Sequence, residues 1–214
     1  MIQLYSYFRS SAAYRVRIAL NLKAMPYEYI PVHLLNNGGE QHSSHYASLN
    51  PMKLLPTLVD NQTVLSQSLA IIEYLEEAYP DTISLLPDNP EERAQVRAIS
   101  QMIACDVHPL NNLRVLQYLN QSFNVDDTQR QQWYIHWITL GFDALEKVLV
   151  KQPGKFCFGD TPSLADCCLV PQVYNAKRFN MSLDAYPHIE SVYKHCKDHP
   201  AFIQAAPEQQ PDMA

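Results

Sequence analysis

Two adjacent serines, Ser10 and Ser11, stand where a strand-like segment gives way to a helical pattern. A serine at a helix start commonly accepts a hydrogen bond from a backbone N–H group, so a doubled N-cap would explain the pair. The same hydroxyls, with the N–H groups at the positive end of the helix dipole, would also suit a negatively charged ligand. The pattern alone favours the structural cap and leaves an anion site as the second interpretation.

Another hydroxyl at a helix start stands in Gln67-Ser68, where Ser68 is the predicted N-cap of a helix over SLAIIEYLEEAY. Helix-start N–H groups and a serine hydroxyl suit a carboxylate, so a cap and a binding site are compatible here. Arginine binds carboxylates through two parallel N–H bonds. Each arginine taken by itself is better explained as a surface residue, so the residues alone single out no carboxylate-binding arginine.

The cysteines and histidines predict neither a disulfide framework nor a metal site. Their pattern contains no C-x-x-C and no Cys/His set at zinc-ligand spacing, so reduced thiols in a cytosolic protein explain the cysteines best. His195 and His199 are four residues apart but lack a third ligand, and they are interpreted as a solvated pair, as are His42 and His45. Serine-hydrolase, P-loop and dinucleotide-binding signatures are absent. The five cysteines are Cys105, Cys157, Cys167, Cys168 and Cys196.

The composition is that of a water-soluble globular protein. Of the 214 residues, 47% are hydrophobic and 18% are charged, and the net charge is −6. This negative charge argues against nucleic acid or an anionic membrane as a partner. No apolar run approaches the roughly 20 residues that span a bilayer, and no secretory signal is evident. We therefore expect a cytoplasmic protein.

Strand-like and helical patterns alternate over residues 1–80. The stretches IQLYSY and YEYIPVHL predict strands, and SAAYRVRIALNLK between them predicts a helix whose apolar stripe leaves out Arg15 and Arg17. A long polar connection with a Gly-Gly pair follows, with space for one helical turn. LPTLVD and TVLS, around Asn-Gln, predict a hairpin, and the helix from Ser68 comes next. This βαβ, ββα order is typical of a thioredoxin-like domain.

Three prolines in PDTISLLPDNPEE predict a linker over 81–90, between a domain over 1–80 and an all-helical domain over 91–214. In the second domain, Pro109 is expected to kink the first helix, and Ser163 with Asp166 predicts an S-x-x-D capping box. The helical patterns cover about 91–120, about 127–151, a stretch that begins at TPSLADCCLV, about 186–198, and a short turn over 199–205.

With this domain order, the chain resembles the cytosolic glutathione transferases, and in detail their zeta class, which includes maleylacetoacetate isomerases and bacterial maleylpyruvate isomerases. The resemblance implies an α/β plus all-α fold: an N-terminal thioredoxin-like domain of βαβαββα type, then a C-terminal helical domain. It also implies glutathione as cofactor and a homodimer, while the Cys/His pattern predicts no metal. The matching stretches are YSYFRSSAAYRVRIAL, LNPMKLLPTL, QSLAIIEYLEE, HPLNNLRVLQYL, GDTPSLADCCLVPQVYNAKRF and QPD.

The resemblance carries an S-S-x-x-x-R motif onto Ser10, Ser11 and Arg15, and it gives Ser11 the role of hydrogen-bond donor to the glutathione thiolate. Lowering a thiol pKa by about two units from about 8.5 needs roughly 2.7 kcal/mol. A helix start supplies about 0.3–1 kcal/mol and a hydrogen bond to a charged group about 1.5–3 kcal/mol, so the hydroxyl is needed. Arg15 and Arg17 are expected either to be mainly structural or to add a background positive field for the thiolate. The family commonly has cysteine at Ala12, so no protein thiol is expected to take part here.

Other positions match glutathione-binding residues of the family. Gln67 and Ser68 would hold the γ-glutamyl end, and Gln41 would contact the glycyl end. Pro56 matches a cis-proline, so the backbone of the residue before it would pair with the tripeptide. Two residues of the helical domain would reach glutathione as well. The full set implied by the resemblance is Ser10, Ser11, Gln41, Leu55, Pro56, Gln67, Ser68, His108 and Asn112.

The activity implied by the resemblance is isomerisation of maleylacetoacetate to fumarylacetoacetate, in tyrosine and phenylalanine breakdown, by thiolate addition, bond rotation and elimination. Arg9, Arg114 and Arg178 match positions that bind this small acidic substrate. Maleylpyruvate isomerase of gentisate breakdown is the close alternative. Glutathione conjugation or α-halo acid dehalogenation is another, and a non-enzymatic interaction module is disfavoured because the serines and arginines are retained.

Overall fold

Residues 1–213 are described by a computed structural model, in which the chain forms two units. The first contains residues 1–85 and 197–213, and the second contains residues 86–196. The expected division into a domain over 1–80, a linker over 81–90 and a domain over 91–214 stays a prediction.

A four-stranded mixed sheet forms the centre of the first unit. Its strand order is β2-β1-β3-β4, with β1 parallel to β2 and the other two pairs antiparallel. Leu4, at the middle of β1, is completely buried and lies opposite Tyr29 on one side and Leu58 on the other. The strands are β1 (Ile2–Ser6), β2 (Tyr27–Pro31), β3 (Thr57–Asp60) and β4 (Thr63–Ser66).

The helices confirm the predicted βαβαββα order of the first unit and the helical character of the second. The α-helices of the described residues are α1 (Ser11–Leu22), α2 (Ser44–Leu49), α3 (Ser68–Ala78), α4 (Pro90–Gln101), α5 (Leu113–Phe123), α6 (Asp127–Leu149), α7 (Leu164–Arg178), α8 (Pro187–Lys197) and α9 (Pro200–Ala205). Short 3₁₀ turns over Asn36–Gly38 and Glu40–His42 precede α2.

The helix α1 is buried almost all round, which differs from the one-sided apolar stripe predicted for it. It packs against α3 and also against α9. Arg15 and Arg17 therefore lie inside the unit, with exposed fractions of 2% and 0%. The sequence pattern could not predict this, because α9 comes from residues far along the chain.

The long helix predicted over 91–120 is divided into several pieces. Helix α4 ends at Gln101, and a π-helical segment over Met102–Val107 and a 3₁₀ turn over His108–Asn111 come before α5. Pro109 has no N–H group for a continuous helix. Gly141 of α6 packs so closely on Val107 that a Cβ atom would collide with its side chain. The break between α4 and α5 is therefore stabilised by packing inside the second unit.

The predicted capping box at the start of α7 is present and buried. The carboxylate of Asp166 accepts hydrogen bonds from the backbone N–H and the hydroxyl of Ser163, and also from the N–H of Cys157. Burial raises the pKa of Asp166, while these hydrogen bonds act in the opposite direction. They keep a carboxylate stable inside the helical unit.

Among residues 1–213, no helix combines the length and apolar character needed to cross a membrane.

Candidate active site

The two serines at the start of α1 have different structural roles. Ser10 is the N-cap, and its Oγ accepts a hydrogen bond from the Ala13 N–H at 3.2 Å. Ser11 is the first helical residue and has an exposed fraction of 6%. The side-chain cap of α1 is therefore made by Ser10. The pair is thus a single side-chain cap at Ser10, and an anion-binding role for Ser11 stays a prediction.

Arg15 connects two helix starts within the first unit. It lies four residues after Ser11, on the same face of α1, and its Nη1 donates to the Ser68 Oγ at 3.2 Å. Both Arg15 and Ser68 are buried. A buried cation is thus held beside the positive ends of α1 and α3, an arrangement that favours anions.

The start of α3 differs from the prediction by one residue. Gln67 takes the N-cap position, and Ser68, predicted to be the cap, is the first helical residue. The backbone of Gln67 has φ 71° and ψ 112°, which is uncommon for a residue with a side chain. Such conformations cost on the order of 1–3 kcal/mol and concentrate at binding sites. The side chain of Gln67 is exposed at this helix start.

The turn before β3 contains the proline that was predicted to be cis, and the Leu55–Pro56 bond is cis. Two side chains of the α2 region anchor it. The Tyr46 hydroxyl donates to the Leu54 carbonyl at 2.6 Å, and Asn50 Nδ2 donates to the same oxygen at 2.8 Å. These anchors were not predicted, although Asn50 is the second residue of the matching stretch LNPMKLLPTL.

Gln41 lies in the 3₁₀ turn before α2 with an exposed fraction of 9%. Its Nε2 donates to the Leu34 carbonyl at 3.5 Å, and its Oε1 is buried without a hydrogen-bond partner in the part of the chain that the structure describes. A buried acceptor without a donor costs about 1–3 kcal/mol, so this oxygen suits a ligand that carries an N–H or O–H group.

Arg9 is exposed immediately before the serines, and a tyrosine holds its guanidinium. Its Nε and Nη2 both donate to the Tyr7 hydroxyl oxygen, at 3.3 and 2.9 Å, and the guanidinium carbon lies 5.1 Å from the centre of the Phe8 ring. Tyr7 is 3% exposed. The orientation of Arg9 is thus set by a residue that the sequence did not single out.

In the second unit, three predicted residues lie at the break between α4 and α5 or directly after it. His108 begins the 3₁₀ turn, and Asn112 caps α5 by accepting the Arg114 N–H at 3.2 Å. Arg114 is exposed in the first turn of α5. A cation is unfavourable at a helix N-terminus, so the stability of α5 does not explain an arginine at this position.

Arg178, the last residue of α7, is held by aromatic side chains. Its guanidinium carbon lies 5.2 Å from the centre of the Phe179 ring, and Phe179 stacks on Tyr134 with 3.7 Å between ring centres. A side-chain hydrogen bond with Arg178 and its charge lower the pKa of Tyr134, but burial is the larger effect and raises it to about 12. Tyr134 therefore stays protonated at neutral pH.

Tyr134 also contacts the break between α4 and α5, because its backbone carbonyl accepts the Asn111 Nδ2 at 3.0 Å. The segment with His108 and Asn112 and the end of α7 with Arg178 are thus anchored on one residue of α6. Tyr134 was not among the predicted site residues, since it lies at an ordinary core position of a helical pattern.

His195 and His199, the pair spaced four residues apart, make separate local contacts. Within residues 1–213, no group of three or more potential ligands is placed to hold a metal ion. His199 caps α9 by accepting the Ala201 N–H, whereas His195 contacts the Ser191 carbonyl. The two rings serve separate local contacts.

Parts of both units match known protein families. Residues 4–83 match the glutathione S-transferase N-terminal domain family, and residues 140–199 match the glutathione S-transferase C-terminal domain family. A probable maleylacetoacetate isomerase of Vibrio cholerae is 52% identical over 209 residues, which cover 98% of this chain and 97% of that protein. The solved holo structure of a bacterial maleyl pyruvate isomerase, a zeta-class glutathione S-transferase, has 47% identity and a TM-score of 0.95, covering 99% of this chain and 100% of that one. The chain belongs to the zeta class of the glutathione S-transferase family.

A third similar protein adds ligands to the comparison. The crystal structure of maleylacetoacetate isomerase from Methylobacterium extorquens AM1, with bound malonate and GSH, has 35% identity and a TM-score of 0.94 over 99% of each chain. The predicted fold and family of this zeta-class chain are confirmed. The roles of its individual serines, arginines and amides stay predictions.

Proposed function

We propose that this protein is a glutathione-dependent cis–trans isomerase of small maleyl acids and that it converts maleylacetoacetate to fumarylacetoacetate. The observation that carries the proposal is the arrangement of helix starts in the first unit. Ser10 serves as the cap of α1, while Ser11 and Arg15 share one face of that helix, and Arg15 bonds to Ser68 at the start of α3. The relatives named maleylacetoacetate isomerase support the same reaction.

The first unit fits glutathione at several points. The buried acceptor Gln41 Oε1 suits an N–H group of the tripeptide, and the starts of α1 and α3 suit its negative charges. The Gln67–Ser68 start would bind the γ-glutamyl carboxylate, and the Leu55 backbone would pair with the peptide. In the second unit, His108 and Asn112 complete the proposed set.

Ser11 is the proposed hydrogen-bond donor to the sulfur. Bound glutathione supplies a thiolate that adds to the double bond and is expelled after rotation. Together, the Ser11 hydroxyl and the start of α1 would contribute about 1.8–4 kcal/mol in favour of the ionised sulfur. This range covers the roughly 2.7 kcal/mol that a two-unit decrease in thiol pKa requires. Arg15 adds positive charge, and Ser10 maintains the helix start.

Arginines are the proposed ligands of the acidic substrate. Arg9 is held by Tyr7, and Arg178 is held by Phe179 and Tyr134, so neither needs to lose much side-chain freedom on binding. Arg114 is the third. Donors aimed at an oxygen where negative charge develops lower the barrier, and a guanidinium can serve both a carboxylate and such an oxygen.

Maleylpyruvate is the second candidate substrate, because the structure with a TM-score of 0.95 is that of a maleyl pyruvate isomerase. Conjugation of glutathione or dehalogenation of α-halo acids would use the same serine and the same cofactor. A non-enzymatic interaction module is the weakest candidate, since it would not need the bond between Arg15 and Ser68.

Rates with maleylacetoacetate and maleylpyruvate, each with and without glutathione, test the proposal. We expect turnover of both acids only with glutathione, and a larger kcat/KM for maleylacetoacetate. Turnover that does not depend on glutathione would contradict the mechanism. A larger kcat/KM for maleylpyruvate would reassign the main substrate while leaving the mechanism in place.

The proposal also includes the compartment, the oligomeric state and the pathway of the enzyme. We place it in the cytoplasm, as a homodimer, in tyrosine and phenylalanine breakdown, with no nucleic-acid or membrane partner. Sedimentation of the purified protein checks the dimer, and a monomer that turns over maleylacetoacetate at the full rate would contradict it. Growth of a deletion strain on tyrosine checks the pathway.

A further inference from the structure

The turn over residues 7–10, which carries Arg9 and ends at the Ser10 cap, is held from inside by Arg17. The buried guanidinium of Arg17 donates to the carbonyl oxygens of Tyr7 and Phe8, at 3.3 and 3.0 Å. It also donates to the Ser6 Oγ at 3.1 Å and to the Ala205 carbonyl at 2.9 Å. One side chain therefore ties the end of β1, the turn and α9 together.

The same turn is held from the other side by Asp212. One oxygen, Oδ2, accepts the Phe8 N–H at 3.0 Å, and the other, Oδ1, accepts the Tyr29 hydroxyl at 2.6 Å. The N–H of Phe8 thus bonds to Asp212 while its carbonyl bonds to Arg17. Both backbone polar groups of the residue before Arg9 are fixed by side chains.

The negative charge of Asp212 favours the charged form of the buried Arg17. The hydrogen-bond acceptors of the Arg17 guanidinium are a hydroxyl and backbone carbonyls, and its burial lowers its pKa. The negative charge of Asp212 acts in the opposite direction, as do three nearby tyrosines. Burial raises the pKa of Tyr29, and its hydrogen bond to Asp212 raises it further, so this hydroxyl remains a donor.

We propose that Asp212 is a positioning residue of the glutathione-dependent reaction. It holds the Phe8 backbone against Arg17, and thereby sets the position of Arg9 and of the helix start at Ser10 and Ser11. Asp212 lies 204 residues after Phe8, so the segment over 197–213 contributes to the geometry of a site at the other end of the sequence. This inference rests on the proposed function.

The test compares Asp212→Ala, Asp212→Glu and a matched control, Glu208→Gln, which changes an exposed carboxylate of the same segment. The first readout is hydrogen exchange of the Phe8 amide, which needs no activity. We expect exchange to be at least about tenfold faster in Asp212→Ala, because the N–H loses its acceptor, and unchanged in Glu208→Gln. Unchanged exchange in Asp212→Ala would overturn the contact.

The second readout separates positioning from stability. Small displacements of reacting groups can lower rates by about 100-fold, so in folded Asp212→Ala we expect kcat to fall about 10- to 100-fold. The pKa of the bound glutathione thiol, followed by its ultraviolet absorbance, should rise, and Asp212→Glu should restore part of both. If kcat per folded molecule and the thiol pKa stay unchanged in Asp212→Ala, Asp212 is only structural and the proposal is wrong.

Tyr29→Phe provides a second variant in case Asp212→Ala does not fold. It removes the hydroxyl that holds Oδ1 and should change Phe8 exchange and kcat in the same direction but less. No change in either would contradict the proposal. If the parent protein binds glutathione but isomerises no maleyl acid, the proposed function fails, while the Phe8 exchange and the thiol titration still decide the role of Asp212.

Discussion

At the scale of single residues, the two neighbouring serines of the proposed site occupy different positions in α1. Ser10 accepts the Ala13 N–H and caps α1, whereas Ser11 lies one residue further, on the same face as Arg15. A hydroxyl that caps a helix has its oxygen occupied by a backbone N–H, so the next serine is better suited to a ligand. Substitutions at the two serines should therefore have different consequences.

Ser11→Ala should lower the rate and leave the fold intact. Loss of a hydrogen bond to a charged group, about 1.5–3 kcal/mol, corresponds to roughly a 10- to 100-fold decrease in kcat/KM. The pH–rate profile should move to higher pH, because the thiol pKa rises. Ser10→Ala is the matched variant and should lower the free energy of unfolding by about 0.5–2 kcal/mol. A larger rate effect at Ser10 than at Ser11 would exchange the two assignments.

Tyr7→Phe should weaken binding of the acidic substrate. The change removes the oxygen that accepts both Arg9 hydrogen bonds, so the guanidinium regains its freedom. We expect KM for maleylacetoacetate to rise by about five- to tenfold, equivalent to about 1 kcal/mol. Glutathione affinity, measured by calorimetry, should remain unchanged. If glutathione affinity alone decreases, Arg9 does not act on the substrate side.

At the scale of elements, the start of α7 shows how local and non-local bonds combine. The bonds between Ser163 and Asp166 belong to the capping box, whereas the bond from Cys157 to Asp166 joins the helix to the preceding loop. The sequence predicted the first, because the S-x-x-D spacing is local. It did not predict the second.

Ser163→Ala should lower the free energy of unfolding by about 0.5–2 kcal/mol. Asp166→Ala should cost more, by about 1–3 kcal/mol for each buried donor left without an acceptor. Denaturant unfolding of both variants measures the difference. The rate per folded molecule should stay at the parent value, since neither residue belongs to the proposed site. Equal losses in the two variants would show that the bond from Cys157 adds little.

At the scale of the whole molecule, the first unit is closed by residues from the far end of the sequence. Helix α9 packs on α1, and Arg17 bonds to the Ala205 carbonyl. The unit that carries Ser11 therefore needs residues 197–213 for its core as well as for the contacts of Asp212.

Phe202→Ala should destabilise this unit, because Phe202 is 1% exposed on α9. Removing a buried phenylalanine ring typically costs about 3–5 kcal/mol. Ile203→Ala is the control, since Ile203 is 47% exposed and its loss should cost about 1 kcal/mol or less. Urea unfolding, monitored together with glutathione binding, should show a lower midpoint for Phe202→Ala in both signals. If Phe202→Ala lowered the midpoint of urea unfolding but left the midpoint of glutathione binding unchanged, this dependence would be contradicted.

Much of the fold was predictable because its signals are local. Strand and helix periods, the hairpin around Asn-Gln and the capping box depend on residues within one or two turns of each other. The division of the 91–120 helix was predicted only as a kink at Pro109. Its full extent depends on the packing of Val107 against Gly141, which the spacing of residues does not report.

By itself, the sequence determined the order of elements, the family, and a set of candidate serines, amides and arginines. Tertiary structure decided which serine caps α1, that Arg15 meets Ser68, and that Tyr7 and Tyr134 hold the arginines. It also decided that Arg17 and Asp212 enclose the turn before the serines. The physical reason is separation along the chain, because contacts such as that of Asp212 with Phe8 form only once the folded unit has brought distant segments together.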